Sequence, residues 1–114
     1  MDVHDRVVSG EPSHFELGVP DTDRARAFYG ALFGWKIDER GWIDTGGVRG
    51  GLHGDDPETG IVLYFTVSDI QAAVQRVREL GGEADDLEEP DVSGWYTSCR
   101  DDQGVAFGLR RPPA

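Results

Sequence analysis

Laid against itself at an offset of 48 residues, the chain repeats a pattern: Val19 falls on Val67, Asp21 on Asp69, Ala25 on Ala73, Leu32 on Leu80 and Gly34 on Gly82, with His14 opposite Val62. The identities are few, but the physical grammar is the same in both copies. Each reads as a strand, a capped helix, a glycine stop and further strands. A length of 114 residues gives room for one domain of ordinary size and not for two independently cored ones. The two copies are therefore read as halves of one domain.

In the first copy Phe15, Leu17 and Val19 alternate with His14, Glu16 and Gly18, the period-two pattern of a strand with one apolar and one polar face. Asp21 is a good helix N-cap, Ala25, Phe28, Tyr29, Leu32 and Phe33 recur at helical spacing, and Gly34 ends the run. In the second copy Ile61, Leu63, Phe65 and Val67 alternate with Val62, Tyr64 and Thr66. Ile70, Ala73, Val74 and Val77 then mark a helix stopped by Gly81 and Gly82. Each helix is followed by a hairpin. In the first, Trp42 to Thr45 and Val48 to His53 flank Gly46-Gly47, which reads as a two-residue turn. In the second, Trp95 to Arg100 and Val105 to Arg110 flank the four-residue loop Asp101 to Gly104.

Strand, helix and three strands, used twice, predict an α+β fold. It consists of two βαβββ modules whose curved mixed sheets pack a helix on one face and enclose a cleft with the other. The expected bounds are an extension over residues 1–12 and a domain over 13–110, with modules at about 13–54 and 60–110, then a tail over 111–114. Pro57 with Asp55, Asp56 and Glu58 separates the copies, and Asp85 to Asp91 is a charged edge.

Strand parity names the cleft side chains. His14, Glu16, Trp42, Asp44, Arg49, His53, Tyr64 and Thr66 fall on the polar faces, while Ile43, Val48 and Leu52 fall in the core. Pairing across a four-residue second turn adds Trp95, Thr97 and Arg110 to the cleft and leaves Val105, Phe107 and Leu109 in the core. Glu16, on a half-buried polar face, suits proton transfer, the holding of a cationic group, or a charge pair with Arg49 or Arg110. His14 reads as a metal ligand, a general base or a polar residue at a strand mouth. Asp44 and Arg49 face each other across the Gly-Gly hairpin as a cross-strand pair. Trp42 and Trp95 offer flat stacking walls, and Trp35, just after the helix stop, reads as core. Cys99, within a strand, reads as a small buried residue rather than a nucleophile.

Twenty-two Asp and Glu against eleven Lys and Arg give a net charge of −11, which repels phosphate backbones and anionic headgroups. Nucleic acid is therefore not an expected partner. One cysteine excludes an intrachain disulfide and a multi-cysteine metal site. The apolar runs are far shorter than the ~20 residues of a bilayer span, and the first twelve residues carry Asp2, Asp5 and Glu11 without an apolar leader. A cytoplasmic location without membrane association is expected.

The run His14-Phe-Glu-Leu-Gly-Val-Pro-Asp21, followed by Arg26-Ala-Phe-Tyr29 and Leu32-Phe-Gly-Trp35, resembles the vicinal oxygen chelate superfamily: glyoxalase I, extradiol dioxygenases and the bleomycin-binding resistance proteins. Val67-Ser-Asp69 and Asp101-Asp-Gln-Gly104 look like the counterparts in the second module, with Asp102 where the family commonly has proline. The resemblance covers about residues 13–110 and implies a homodimer. It also implies where metal ligands stand. His14 occupies the first-strand position seven residues before Asp21, but the equivalent before Asp69 is Val62, and the late-strand carboxylate falls at Gly108. No metal held through three or four side chains, and no other cofactor, is expected.

Three functions stay open. The first is a protein that binds or sequesters a small organic ligand, like the resistance proteins. The second is a lyase or isomerase of the same superfamily that transfers protons through Glu16 or His14, and the third is a non-catalytic partner module. The ligand expected from composition and the two tryptophans is neutral or cationic and carries a flat aromatic group.

Overall fold

Asp21 and Asp69 do at the two helix starts what the repeat assigns them. Asp21 is extended, and its Oδ1 accepts the Arg24 N–H at 3.1 Å, opening helix α1 (Thr22–Phe33); Asp69 accepts the Ala72 N–H at 3.0 Å, opening α2 (Ile70–Glu79). Gly34 closes α1 in the left-handed region at φ 75°, donating its N–H to Gly30 at 2.9 Å. The structure, a computed structural model, describes residues 8–54 and 59–113. The first seven residues of the expected extension, the separator of Asp55, Asp56, Pro57 and Glu58, and Ala114 of the expected tail lie outside the described residues.

The chain divides into two compact units. One is Ser13–Leu63; the other is Tyr64–Ala114 together with the described residues 8–12. The first contains most of β1 (Val8–Val19), then α1, β2 (Lys36–Ile37), β3 (Trp42–Asp44) and β4 (Arg49–Gly54), in the sheet order β2-β3-β4-β1. β1 and β4 run parallel, and the β2–β3 and β3–β4 pairs are antiparallel. Phe15, Leu17, Ile43 and Leu52 from the sheet and Ala25 from α1 form the core, flanked by Val19, Tyr29, Trp35 and Ile37. α1 thus covers one face of this sheet.

Three details depart from expectation. β1 begins at Val8, inside the segment read as an extension. The β3–β4 connection is four residues, Thr45 to Val48, rather than a two-residue turn: the Thr45 hydroxyl donates to Val48 O at 2.6 Å and accepts the Gly47 N–H at 3.1 Å. Val48 therefore sits in the loop, 39% exposed, and not in the core. The apolar stripe of α1 also buries less than its spacing implies. Ala25 is buried, but Phe28, Leu32 and Phe33 are 60%, 58% and 59% exposed. The rings satisfy one another instead. Tyr29 stacks on Trp35 at 5.2 Å and 15°, and Phe33 meets Trp35 at 5.1 Å, so the aromatic bodies pile beyond the sheet's narrow apolar face.

The second module repeats the arrangement with β5 (Gly60–Val67), α2, β6 (Glu83–Ala84), β7 (Trp95–Arg100) and β8 (Ala106–Arg111), ordered β5-β8-β7-β6. β5 and β8 are parallel and the other two pairs antiparallel. Val67, Ile70, Ala73, Val74, Cys99 and Leu109 form its core, with Val77, Ala84, Leu87, Trp95 and Phe107 packed against them. The fold class is α+β with two βαβββ modules, as the repeat predicts. Ile61 and Leu63, the first two apolar positions of the β5 alternation, are 62% and 42% exposed.

The turn between β7 and β8 holds five residues, not four. Asp101 Oδ1 accepts the Gln103 N–H at 2.8 Å and the Val105 N–H at 2.9 Å, Asp101 N–H donates to Val105 O at 2.9 Å, and strand pairing resumes at Arg100 opposite Ala106. These amide donors, Val105 first, hold the Asp101 carboxyl below its ordinary range. Val105 is left 61% exposed, outside the core. One extra residue shifts the register by one and exchanges the faces of β7. Among the described residues no helix is long and apolar enough to cross a membrane.

Cys99 lies in the core of the second module, where burial, and secondarily the Asp85 carboxylate, push its thiol up from 9.0 to about 11. The raised folded-state value contributes stability that is complete below pH 9 and is lost as pH climbs towards 11. A thiol reagent at pH 7.5 is expected to label native Cys99 only as fast as the protein opens, and to label it at once in urea. Rapid labelling of the native protein would contradict this burial.

Candidate functional site

Because α1 packs against the Phe15 and Leu17 side of the first sheet, the alternate residues point to the opposite face. The register arranges them in cross-strand rows. Lys36 pairs with Asp44, Asp44 stands opposite Arg49 one residue on from the Ile43–Gly50 pair, and Arg49 pairs with His14. The next row is Trp42, Gly51 and Glu16, and the one after it joins His53 to Gly18. All of the first-module side chains that parity assigns to the polar face, His14, Glu16, Trp42, Asp44, Arg49 and His53, do share it.

At its centre His14 Nε2 and Glu16 Oε2 are 3.1 Å apart, with side chains 18% and 34% exposed. A Cβ on Gly51 would run into the Glu16 carboxylate, so the carboxylate lies over β4 where only a glycine leaves room. His14 meets the edge of Trp42 at 6.3 Å and 70°, and the Arg49 guanidinium sits 5.6 Å over the Trp42 ring. Arg49 thus stacks on the indole, while Asp44, expected to pair with it, accepts the Gly46 N–H at 2.9 Å. Towards β2 the face opens into a hollow of about 260 Å³ lined by Lys36, Asp38, Trp42, Asp44 and Arg49 among others. Asp38 Oδ1 accepts the Arg40 and Trp42 amides, both at 2.9 Å, which fixes the entry to β3.

In the second module Tyr64, Thr66 and Arg110 share the face opposite α2: Tyr64 pairs with Gly108 and Thr66 with Arg110. Arg110 donates to Ser93 O at 3.4 Å. Trp95 and Thr97 do not join them. The five-residue turn sets Trp95 opposite Arg111 and Thr97 opposite Leu109, on the helix-covered side. Thr97 is 4% exposed and donates to Asp85 O at 2.9 Å; Trp95 packs against the core of Val67, Ile70 and Leu109. The places assigned to them are taken by Tyr96 and Ser98, which pair with Arg110 and Gly108. The signal was present in Asp101 and Gly104: an aspartate that caps its own loop followed by a glycine at φ 85° marks a longer turn.

The donors do not fit a metal held by several side chains. Val62 offers none. Gly108 offers none either, and a Cβ there would strike the Tyr64 ring, which covers that point of β8. His53 lies two rows from His14, about 13 Å along the strand, too far to share an ion. Among the described residues no three His, Cys, Asp or Glu come together. What the first face does offer is a histidine–carboxylate contact able to pass a proton, a cation stacked on an indole, and a hollow beside them.

Residues 13–42 match the family described as bleomycin resistance protein-like N-terminal. No curated protein matches the sequence. Among solved structures, methylmalonyl-CoA epimerase from Mycobacterium tuberculosis superposes with a TM-score of 0.70 at 20% identity, covering 94% of this chain and 90% of that one. A hypothetical protein from Bacillus halodurans C-125 gives 0.72 at 16% identity, covering 93% and 96%. A glyoxalase/bleomycin resistance protein/dioxygenase superfamily member from Vibrio splendidus 12B01 gives 0.64 at 20% identity, covering 93% and 97%. At these identities the likeness is one of fold.

Gly51→Ala is expected to displace the Glu16 carboxylate from His14. In NMR spectra the His14 ring resonances should move from their native positions. Unchanged His14 resonances would show that the glycine does not control the pair.

Proposed function

We propose that this chain, which carries the fold of the glyoxalase/bleomycin resistance protein/dioxygenase superfamily, binds a small organic molecule on the open face of its first module. The observation that carries the reading is the gathering of His14, Glu16, Trp42 and Arg49 on the sheet face that α1 leaves uncovered, next to a hollow. His53 is proposed as a further contact on this face, and Tyr64, Thr66 and Arg110 as ligand contacts on the corresponding face of the second module. The missing donors at Val62 and Gly108 support a site without a complete superfamily metal set.

The His14–Glu16 contact of 3.1 Å favours a second reading, a lyase or isomerase in which Glu16 takes a proton from bound substrate and His14 orients the carboxylate or relays the proton. The fold likeness to an epimerase, an enzyme that inverts a stereocentre, agrees with it. We further propose a homodimer without nucleic-acid or membrane partners in the cytoplasm, supported by the superfamily resemblance and the net charge of −11.

A thermal-shift panel of aromatic acids, amides, cationic drugs and acyl-CoA compounds including methylmalonyl-CoA tests the binding reading. A true ligand at a hundred times its Kd stabilises by about 2.7 kcal/mol, several degrees of Tm for a domain of this size. The shift should vanish in Trp42→Leu; a shift that survives there moves the site elsewhere. For the second reading, the hit incubated in D₂O should gain deuterium with the native protein and not with Glu16→Gln. Light scattering is expected to give twice the chain mass at micromolar concentration, and a monomer mass throughout would remove the dimer.

A further inference from the structure

We infer that the ligand of the first-module face is a small monoanion, a carboxylate borne on a flat aromatic or conjugated group, with the carboxylate held by Arg49 and Lys36. The inference rests on the binding reading above and reverses the charge expected from composition. Two observations reverse it. The register places Trp95 against the core of its own module, and Trp42, the indole on this face, already carries a guanidinium. Glu16, the group expected to attract a cation, is in contact with His14 instead.

The geometry of Arg49 gives the anion its place. Arg49 is exposed, with its Cζ 5.6 Å from the Trp42 ring centroid, and a guanidinium held over a ring still has an N–H edge that meets a carboxylate in a two-point fork. Lys36 lines the same hollow. Among the described residues neither Lys36 nor Arg49 is held in an ion pair. The two carboxylates of the hollow are committed to backbone amides, Asp38 to Arg40 and Trp42, and Asp44 to Gly46. The hollow is therefore close to neutral in charge while its unengaged donors are cationic, which suits one negative charge and no more.

Size and field limit the ligand further. About 260 Å³ is just under the usual range of ligand sites, which limits the occupant to one or two fused rings. The chain's net −11 opposes a polyanion at long range but is screened beyond about 8 Å at physiological salt, so a single carboxylate at contact feels mainly the near-neutral hollow and the donors of Lys36 and Arg49. Trp42, 39% exposed, supplies the flat surface beside them.

Calorimetry on the full-length protein with 2-naphthoate, 2-naphthamide and 2-naphthylmethylammonium tests this. The acid is expected to bind at least tenfold more tightly than the amide and the amine. Arg49→Gln should abolish the preference, Arg49→Lys should retain part of it because the charge stays while the fork is lost, and Lys36→Gln should weaken the acid about threefold. Arg76→Gln, in the last turn of α2, should leave the preference between acid and amide unchanged. Circular dichroism melts of each variant separate a folding defect from a binding one. If the amide or amine binds as well as the acid and Trp42→Leu weakens all three, the face binds ligands but the charge assignment is wrong. If none of the three binds at millimolar concentration, or none responds to Trp42→Leu or to either Arg49 variant, the binding reading fails with it.

Discussion

Gly50 and Gly51, adjacent on β4, let β1 lie against that strand with bulk on both sides. A Cβ at Gly50 would strike the Phe15 ring on the helix-covered face; a Cβ at Gly51 would strike the Glu16 carboxylate on the other. Successive residues point to opposite faces, so one dipeptide serves the core and the site together. Phe15 over Gly50 closes the cluster with Leu17, Ile43 and Leu52, while Glu16 over Gly51 comes within reach of His14. Side chains at these two positions would push β1 and β4 apart or turn the rings and carboxylate outwards. The core of the module and the chemistry of its open face would then be lost by the same displacement.

What could be read beforehand was whatever a single strand or helix decides alone. Phe15 and Leu17 against His14 and Glu16 is a matter of parity within β1, and Asp21 and Asp69 cap through amides three residues away. The local signals there are sufficient. The register between strands is different, because it depends on how many residues a turn consumes. Asp101 folds five residues into its loop, and that one residue moves Trp95 and Thr97 into the core and brings Tyr96 and Ser98 out. Lys36 was not visible as a neighbour of Arg49 because the two meet only through Asp44, across three strands.

The two helices show the limit of periodicity in another way. α2 buries Ile70, Ala73 and Val74 as its spacing implies, whereas α1 buries only Ala25 of five apolar candidates. The difference is one of side-chain bulk. Small and β-branched residues fit under a helix close to a sheet, but Phe28, Tyr29 and Phe33 are too large to share one narrow strip, and Trp35 offers them an aromatic surface beside it. Helical spacing shows which residues share a side of a helix; the sheet decides how many it accepts.

The polar row Lys36, Asp44, Arg49 and His14 runs across four strands, at right angles to the chain, and its members are joined through loops rather than through neighbouring residues. Its alternation survives only while β3 and β4 keep the same phase. A single residue inserted between Thr45 and Val48 would present β4 to β3 inside out, while two would restore the phase with a longer loop. The loop's length is thus constrained in parity more than in size, and descendants of this chain should tolerate even changes there and reject odd ones.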